Sequence, residues 1–595
     1  MTLKDRPGSV FTTFSFRLCM NNTLFNDSLS WIDFSVLVDL GFSGFLSKSK
    51  DIQLRSLRDV NMKVPPSSLI TFPLLLFQLS GAFGGKILVF PLDGSHWINM
   101  KVLIEELHSK GHEVTVIRPS DSWFVNEKSP LYTSVNIPSP GGFEQKYFEA
   151  FLSRQLEIRL QGRHASSWSK LWSRIQIELL VVNHFSLLHK AMSEIVVQMF
   201  EDEKLMQSFH EAKYDVVLTD PGVGVGAMLA RRLQVPLVFN VRWTIQGEAH
   251  FLLAPSPLSY IPFTATELTD KMTFLQRIKN VLSYNLGMYT MSCITEPHYK
   301  PVVKKYFGPD VDYSTFFLEA DIWLMRNDFV FEFPRPTMPN IIYMGGFQCK
   351  PPEPLPADLE KFVQSSGDHG VIMMTLGSMV GKLPQDIAEE IAAGFAQLPQ
   401  KVVWRYMGQR PANLGNNTLL VNWLPQKDLL GHAKTRVFVA HGGTNGVQEA
   451  IYHGVPVVGL PLFFDQPDNL SRIRAKGGAV IVDIAELDRH IFADALKTAL
   501  YNPSYKENMQ RLSRLSRDQP MKPLDQAVFW IEYVIRHKGA RHLQTQSTKM
   551  SWLVYNCIDV IAALLAAVLL VTFICISLVR LLWRIILVGK KVKHE

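Results

Sequence analysis

From residue 86 onward the chain alternates short apolar runs with stretches whose apolar residues recur at helical spacing. Lys86–Pro91 reads as a buried strand, Ile98–Lys110 as an amphipathic helix stopped by Gly111, and Glu113–Ile117 as a second strand. Tyr214–Thr219 and a PLVFN run continue the series. A strand near Asp321–Arg326 then leads into PRPTMPNIIYMGG, a proline-rich crossover of the kind that joins domains. The alternation restarts near Asn340, with VIMMTLGS at 371–378, KVVWRY at 401–406 and the β-branched run Thr435–His441. The pattern predicts two α/β domains, at 85–335 and 340–502. Helical pattern returns at 503–537, read as one helix sent back to the first domain. Residues 144–210 are helical and in places very apolar (IQIELLVVNHF), suited either to covering a pocket or to touching a membrane.

Two further apolar stretches change the picture. Met62-Lys63, the run Leu69–Leu79 and the small residues up to Gly85 have the form of a secretory leader at 62–84. Leaders begin at the initiator, so Met62 is the expected start and residues 1–61, which lack clear periodicity, an extension outside the mature protein. Val560–Val579 is twenty residues without a charge, about 30 Å of helix and enough to span a bilayer. Arg580, Arg584 and three lysines follow, which puts 580–595 in the cytosol and the body across the membrane. Lys591–Glu595 has the K-x-K-x-x form of a retrieval tail to the endoplasmic reticulum, although a short basic tail also serves as a plain stop-transfer anchor.

Charge adds little. Of the net +7, the five basic residues and one acidic residue of 580–595 account for +4, and eight basic against six acidic in 1–63 for +2, leaving +1 for the body. Nucleic-acid binding gains no support. The five cysteines make no framework: only Cys293 and Cys349 lie in the body, where they could pair or stay free. No Cys or His cluster points to a metal.

The chemistry concentrates in Trp423–Gln466. There a strand meets Gly442-Gly443, a helix runs from about Thr444 to His453 with Gly454 as its left-handed C′ residue, and Pro456–Leu462 is the next strand. Such a turn aims helix N-terminal amides and the positive dipole end at an anion, usually phosphate. An aromatic (Trp423) precedes the cradle and Asp465-Gln466 follows it, enough for a base, a diphosphate and a sugar. Upstream, His96 follows the first strand in PLDGSHW and Asp220 follows another in YDVVLTD. The glycines Gly222, Gly224 and Gly226 fit a dinucleotide fingerprint, but no carboxylate ends the next strand, so close helix–strand packing is their expected use.

DGSHW, YDVVLTDP, TDKMTFLQRIKN, PRPTMPN, TLGSM, NWLPQ, HGGTNG and EAIYHGVPVVGLPLFFDQPDN together resemble the animal UDP-glucuronosyltransferases over essentially all of Met62–Glu595. The resemblance implies a GT-B fold, two Rossmann-like domains facing across a cleft, with one C-terminal transmembrane helix. It implies inverting transfer from UDP-glucuronate to a small lipophilic hydroxyl compound in the endoplasmic reticulum lumen, with the UDP-sugar as co-substrate and no cofactor or metal. His96 would be the base and Asp220 its orienting carboxylate. His441, Gly443, Asn445 and Gly446 would hold the diphosphate with Ser378 on the opposite wall, and Thr375 and Arg405 would also bind the donor. Trp423 would stack on uracil unless it is a core tryptophan, and Gln426 and Glu449 would meet the base edge and ribose. Asp465 and Gln466 would read sugar hydroxyls. Arg326 matches an arginine that would face the glucuronate carboxylate, or else forms a linker salt bridge. Glucose, N-acetylglucosamine and xylose donors would share nearly every other contact, and a silent GT-B binding protein is the rival class. Membrane lipid is an expected partner, and homo- or hetero-oligomerisation stays open. Of the body's sequons, Asn416 in a polar loop is the glycosylation candidate and Asn469, beside Asp465-Gln466, is expected bare.

Overall fold

The computed structural model describes residues 84–141, 144–162, 166–241, 249–377 and 379–591. The extension 1–61, the expected leader up to residue 83, Ser378 and the last four residues, with most of the K-x-K-x-x end, lie outside the described residues.

Two all-parallel sheets carry the fold. The first has the order β3-β2-β1-β4-β5-β6-β7, built from β1 (Lys86–Phe90), β2 (Glu113–Pro119), β3 (Thr133–Ile137), β4 (Val216–Thr219), β5 (Leu237–Val241), β6 (Ile322–Met325) and β7 (Ile341–Tyr343). β1 lies between β2 and β4, with Ile87 opposite Val114 on one side and Val216 on the other. Helices cover both faces, which is why Ile87 to Phe90 are all buried and apolar rather than alternating. Helix α1 (Ser95–Ser109) begins three residues earlier than the apolar spacing predicts. Gly94, at φ 71°, turns the chain straight into it. His96 therefore stands in the first turn of a helix and not in the loop before it.

The apolar stretch that the sequence left between pocket and membrane forms α2 (Gln145–Gln161) and α3 (Ser167–Glu201). Phe151, Leu152 and Leu156 of α2 join the core of the second sheet, beside Ile387, Phe395 and Val439. This stretch of the first half is thus packed on the second. Helix α4 (Val225–Leu233) uses the glycine run as the sequence predicts: a Cβ on Gly226 would lie 2.2 Å from Thr219 Oγ1, and one on Gly224 2.4 Å from the Tyr313 hydroxyl. The glycines are there for close packing. Helix α5 (Phe274–Phe307) lies along α3.

The second sheet has the order β10-β9-β8-β11-β12-β13, from β8 (Val371–Thr375), β9 (Lys401–Arg405), β10 (Thr418–Val421), β11 (Thr435–Ala440), β12 (Val457–Gly459) and β13 (Ala479–Ile481). After β11 comes α6 (Thr444–His453), ended by Gly454 at φ 66°, and after β12 comes α7 (Gln466–Ala475). The single returning helix expected at 503–537 is two. Helix α8 (Pro503–Arg517) stays against α6, and α9 (Pro523–His537) crosses to α1, β4 and β6. Its Ala527, Val528, Ile531 and Val534 are buried in one cluster with Ile87, Leu103 and Leu324. Pro520 and Pro523 are the break, since neither has an N–H to continue the first helix.

Helix α10 (Ile558–Lys591) contains a 30-residue apolar span, Ile558–Leu587. It runs past the expected 560–579 because nothing between Val579 and Gly589 breaks a helix, so Arg580 and Arg584 belong to it and not to a loose tail.

Candidate active site

Each sheet reverses strand order once, and open parallel sheets bind ligands in the crevice at the carboxyl ends of the strands there. In the first sheet the reversal falls between β1 and β4. His96 follows β1 and Asp220 follows β4, so neighbouring strand ends place His96 Nδ1 2.6 Å from Asp220 Oδ2. Asp220 is fully buried, and its Oδ1 accepts the Gly222 N–H at 2.8 Å. Burial alone would raise this carboxyl, but the His96 and Arg326 charges, with hydrogen bonds from His96 and Gly222, hold it below the usual range. With Nδ1 committed to the carboxylate, proton transfer would fall to Nε2.

In the second sheet the reversal lies between β8 and β11. Thr375 ends β8 and His441 follows β11. Gly442 adopts φ 91°, and its carbonyl accepts a hydrogen bond from the Asn469 side chain at 3.0 Å. The same Asn469 amide reaches Asp465 Oδ2 at 2.8 Å, and Thr444 Oγ1 donates to that oxygen at 2.9 Å. Asn469 is 5 % exposed and its side chain is engaged in these bonds, whereas Asn416 is exposed. Gln466 Oε1 accepts the N–H groups of Leu462 and Phe463 at 2.8 and 3.0 Å, leaving its NH₂ end for the pocket. Arg405 donates to the carbonyls of Gly377 and Asn422, so it braces the two loops that carry Thr375 and Trp423. Gln426 Nε2 donates to Glu449 Oε2 at 2.6 Å, and burial raises the Glu449 carboxyl despite that bond. Trp423 is 75 % exposed, so it is no core residue.

Both half-sites open into one cavity of about 540 Å³, the size range of small-molecule sites. Its lining includes His96 together with Thr375, Arg405, Trp423, Gln426, His441, Gly443, Asn445, Gly446, Glu449, Asp465 and Gln466. Asp220 stands behind His96, outside the lining. The apolar wall comes from Trp123, Phe148, Phe185, Leu188, Met192 and Ile195, so the middle of α3 covers the pocket.

A sequence model described as UDP-glucoronosyl and UDP-glucosyl transferase matches residues 85–594. The chain belongs to this family. Mouse UDP-glucuronosyltransferase 2A1 is 41 % identical over 536 residues, covering 89 % of this chain and 99 % of the mouse protein. Human UDP-glucuronosyltransferase 2B15 is 41 % identical over 509 residues, covering 84 % and 94 %. Among solved structures, the glycotransferase of kitacinnamycin aligns with a TM-score of 0.50 at 17 % identity, over 77 % of this chain and 99 % of that one. At that identity the likeness speaks for the fold, which is GT-B.

Within this UDP-glycosyltransferase chain one site residue is placed differently from its sequence reading. Arg326 does not line the cavity: it is 2 % exposed, with Nη2 3.6 Å from Asp220 Oδ2. β6 lies one strand beyond β5 and carries Arg326 under the floor of the site, where its ion pair is with Asp220. Cys293 and Cys349 are unpaired. Pattern reading missed the contacts across the cleft. Asn99 Nδ2, on α1, donates to Asn445 Oδ1 at 2.8 Å, and Gln448 Nε2 reaches the Arg326 carbonyl. Asp468 accepts the Ala265 and Glu267 N–H groups, and Arg472 Nε lies 2.6 Å from Glu332. Only the three-residue spacing from His96 hinted at Asn99.

Proposed function

We propose that this chain transfers glucuronate from UDP-glucuronate to the hydroxyl of a small lipophilic acceptor, giving a β-glucuronide. The observation that carries the proposal is that the His96–Asp220 pair and the glycine cradle of α6 open into one cavity. The acceptor lies against the apolar wall with its hydroxyl at His96 Nε2. His96 takes the proton as the oxygen attacks the anomeric carbon, and Asp220 stabilises the imidazolium that forms. The departing UDP carries its charge into N–H groups and a helix dipole already oriented before reaction, the form of stabilisation that needs no reorganisation. Attack opposite the leaving group inverts the α-linked sugar. The UDP-sugar is a co-substrate, and the proposed steps call for no cofactor or metal.

The names of the relatives support glucuronate as the sugar. The anchor, the basic residues after it and the K-x-K-x-x end support a single-pass protein of the endoplasmic reticulum with its catalytic body in the lumen. The test uses microsomes carrying the full chain, a panel of UDP-sugars and one simple phenol. Glucuronide formation that is lost in His96→Ala, with UDP still bound by calorimetry, is the expected result. Turnover with UDP-glucose alone would overturn the donor assignment, and near-normal turnover of H96A would remove His96 from the mechanism.

A further inference from the structure

We infer that Arg326 is a positioning residue for the reaction: it keeps the His96–Asp220 pair ionised as neutral imidazole and carboxylate, ready to accept a proton. The inference rests on the proposed role of His96 as base.

Arg326 follows β6, and its place is set from two sides. Its N–H donates to the Val241 carbonyl at 3.0 Å, and its own carbonyl accepts from Gln448 on α6, across the cleft. The guanidinium is thereby held against Asp220, with both side chains removed from water. A buried carboxylate without a cation beside it lowers its energy by taking up a proton, directly or through a partner imidazole. At rest, Asp220 and Arg326 balance and His96 adds no charge. When His96 accepts the hydroxyl proton the cluster gains one positive charge, next to a departing diphosphate. Without Arg326 the resting cluster would carry an uncompensated negative charge, and the His96–Asp220 pair would bind a proton from solvent before the acceptor could supply one. Such a pair titrates as a unit, so the kinetic signature belongs to both groups. Among the side chains that act on Asp220, Arg326 carries the permanent charge and His96 is the group that titrates. The cavity around His96 also carries Asp93, Asp121, His184, Arg405, Lys427, Asp428, His441, Glu449 and Asp465, all unchanged by a substitution at 326.

The experiment is the pH profile of kcat at saturating UDP-glucuronate and phenol, in microsomes, for the wild-type chain, Arg326→Gln and Arg326→Lys. In R326Q the acidic limb is expected to move up by about one pH unit or more, so that activity lost at neutral pH returns at alkaline pH. R326K retains the cation and keeps the limb close to wild type. A limb that stays in place while R326Q loses the same factor at every pH overturns the inference, as does an R326K no better than R326Q. R326Q strands a buried carboxylate and can fail to fold. In that event D220N/R326Q, a neutral pair, is expected to recover folded protein, and a yield no better than that of R326Q overturns the pairing. Absence of any transfer by the wild-type chain would instead overturn the enzymatic reading beneath it.

Discussion

The glycine cradle offers the sharpest test of how backbone shape serves the donor. Gly442 sits at φ 91°, and a Cβ there would stand 2.6 Å from Leu470 Cγ and 2.9 Å from the Gln466 carbonyl oxygen. Gly442→Ala therefore carries two costs. The positive φ costs an L-residue about 1–2 kcal/mol, and forcing a methyl against packed neighbours about 1–3 kcal/mol. Together they predict a loss of about 2–5 kcal/mol in the stability of the second domain. Leu470 and Gln466 both lie on α7, so relief of the clash moves the helix whose Asn469 holds the Gly442 carbonyl. Losing one charge-assisted hydrogen bond to the diphosphate costs about 1.5–3 kcal/mol, or roughly a 10- to 150-fold weaker Kd for UDP. Gly459→Ala is the control: its Cβ would meet the same Leu470, 2.6 Å from Cδ1, without the left-handed backbone. Denaturation midpoints and UDP titration calorimetry on detergent-solubilised full chain measure both effects. A G442A protein with wild-type midpoint and UDP affinity would refute the reasoning, and a G459A as damaged as G442A would show that φ contributes nothing.

Two other outcomes follow from the geometry. Asn99→Leu removes the amide that meets Asn445 across the cleft, a neutral hydrogen bond worth about 0.5–1.5 kcal/mol, so KM for the donor should rise about 3- to 10-fold with kcat little changed; a fall in kcat at constant KM would contradict this. Acid should unfold the protein early. Burial lowers His184 and His453 to about 4 and His189 and His250 to about 3. Below the unfolded value near 6.5 the unfolded chain binds protons that these folded imidazoles refuse, so their contribution is intact above that pH and is lost as pH falls toward 4. Each histidine costs up to about 1.4 kcal/mol per pH unit in that window, and a urea midpoint that stays flat between pH 7 and 5 would contradict this.

Much of the protein was legible before any coordinates. Strand and helix periods, the Gly442-Gly443 turn, the left-handed Gly454 and the apolar C-terminal run are local: backbone sterics and side-chain spacing decide them within a few residues. The packing role of Gly226 was legible too, because the missing carboxylate removed the alternative. Ser378 and the leader lie outside the described residues. Tertiary structure decided what depends on which strand lies beside which. Strand order made His96 and Asp220 neighbours across 124 residues of chain and carried Arg326 to Asp220. It sent α2 into the second core, split the last soluble helix between two sheets, and brought Asn99 to Asn445 over 346 residues. Nothing in local propensity encodes such pairings, since each arises from burying two separate apolar sheets and closing the cleft between them.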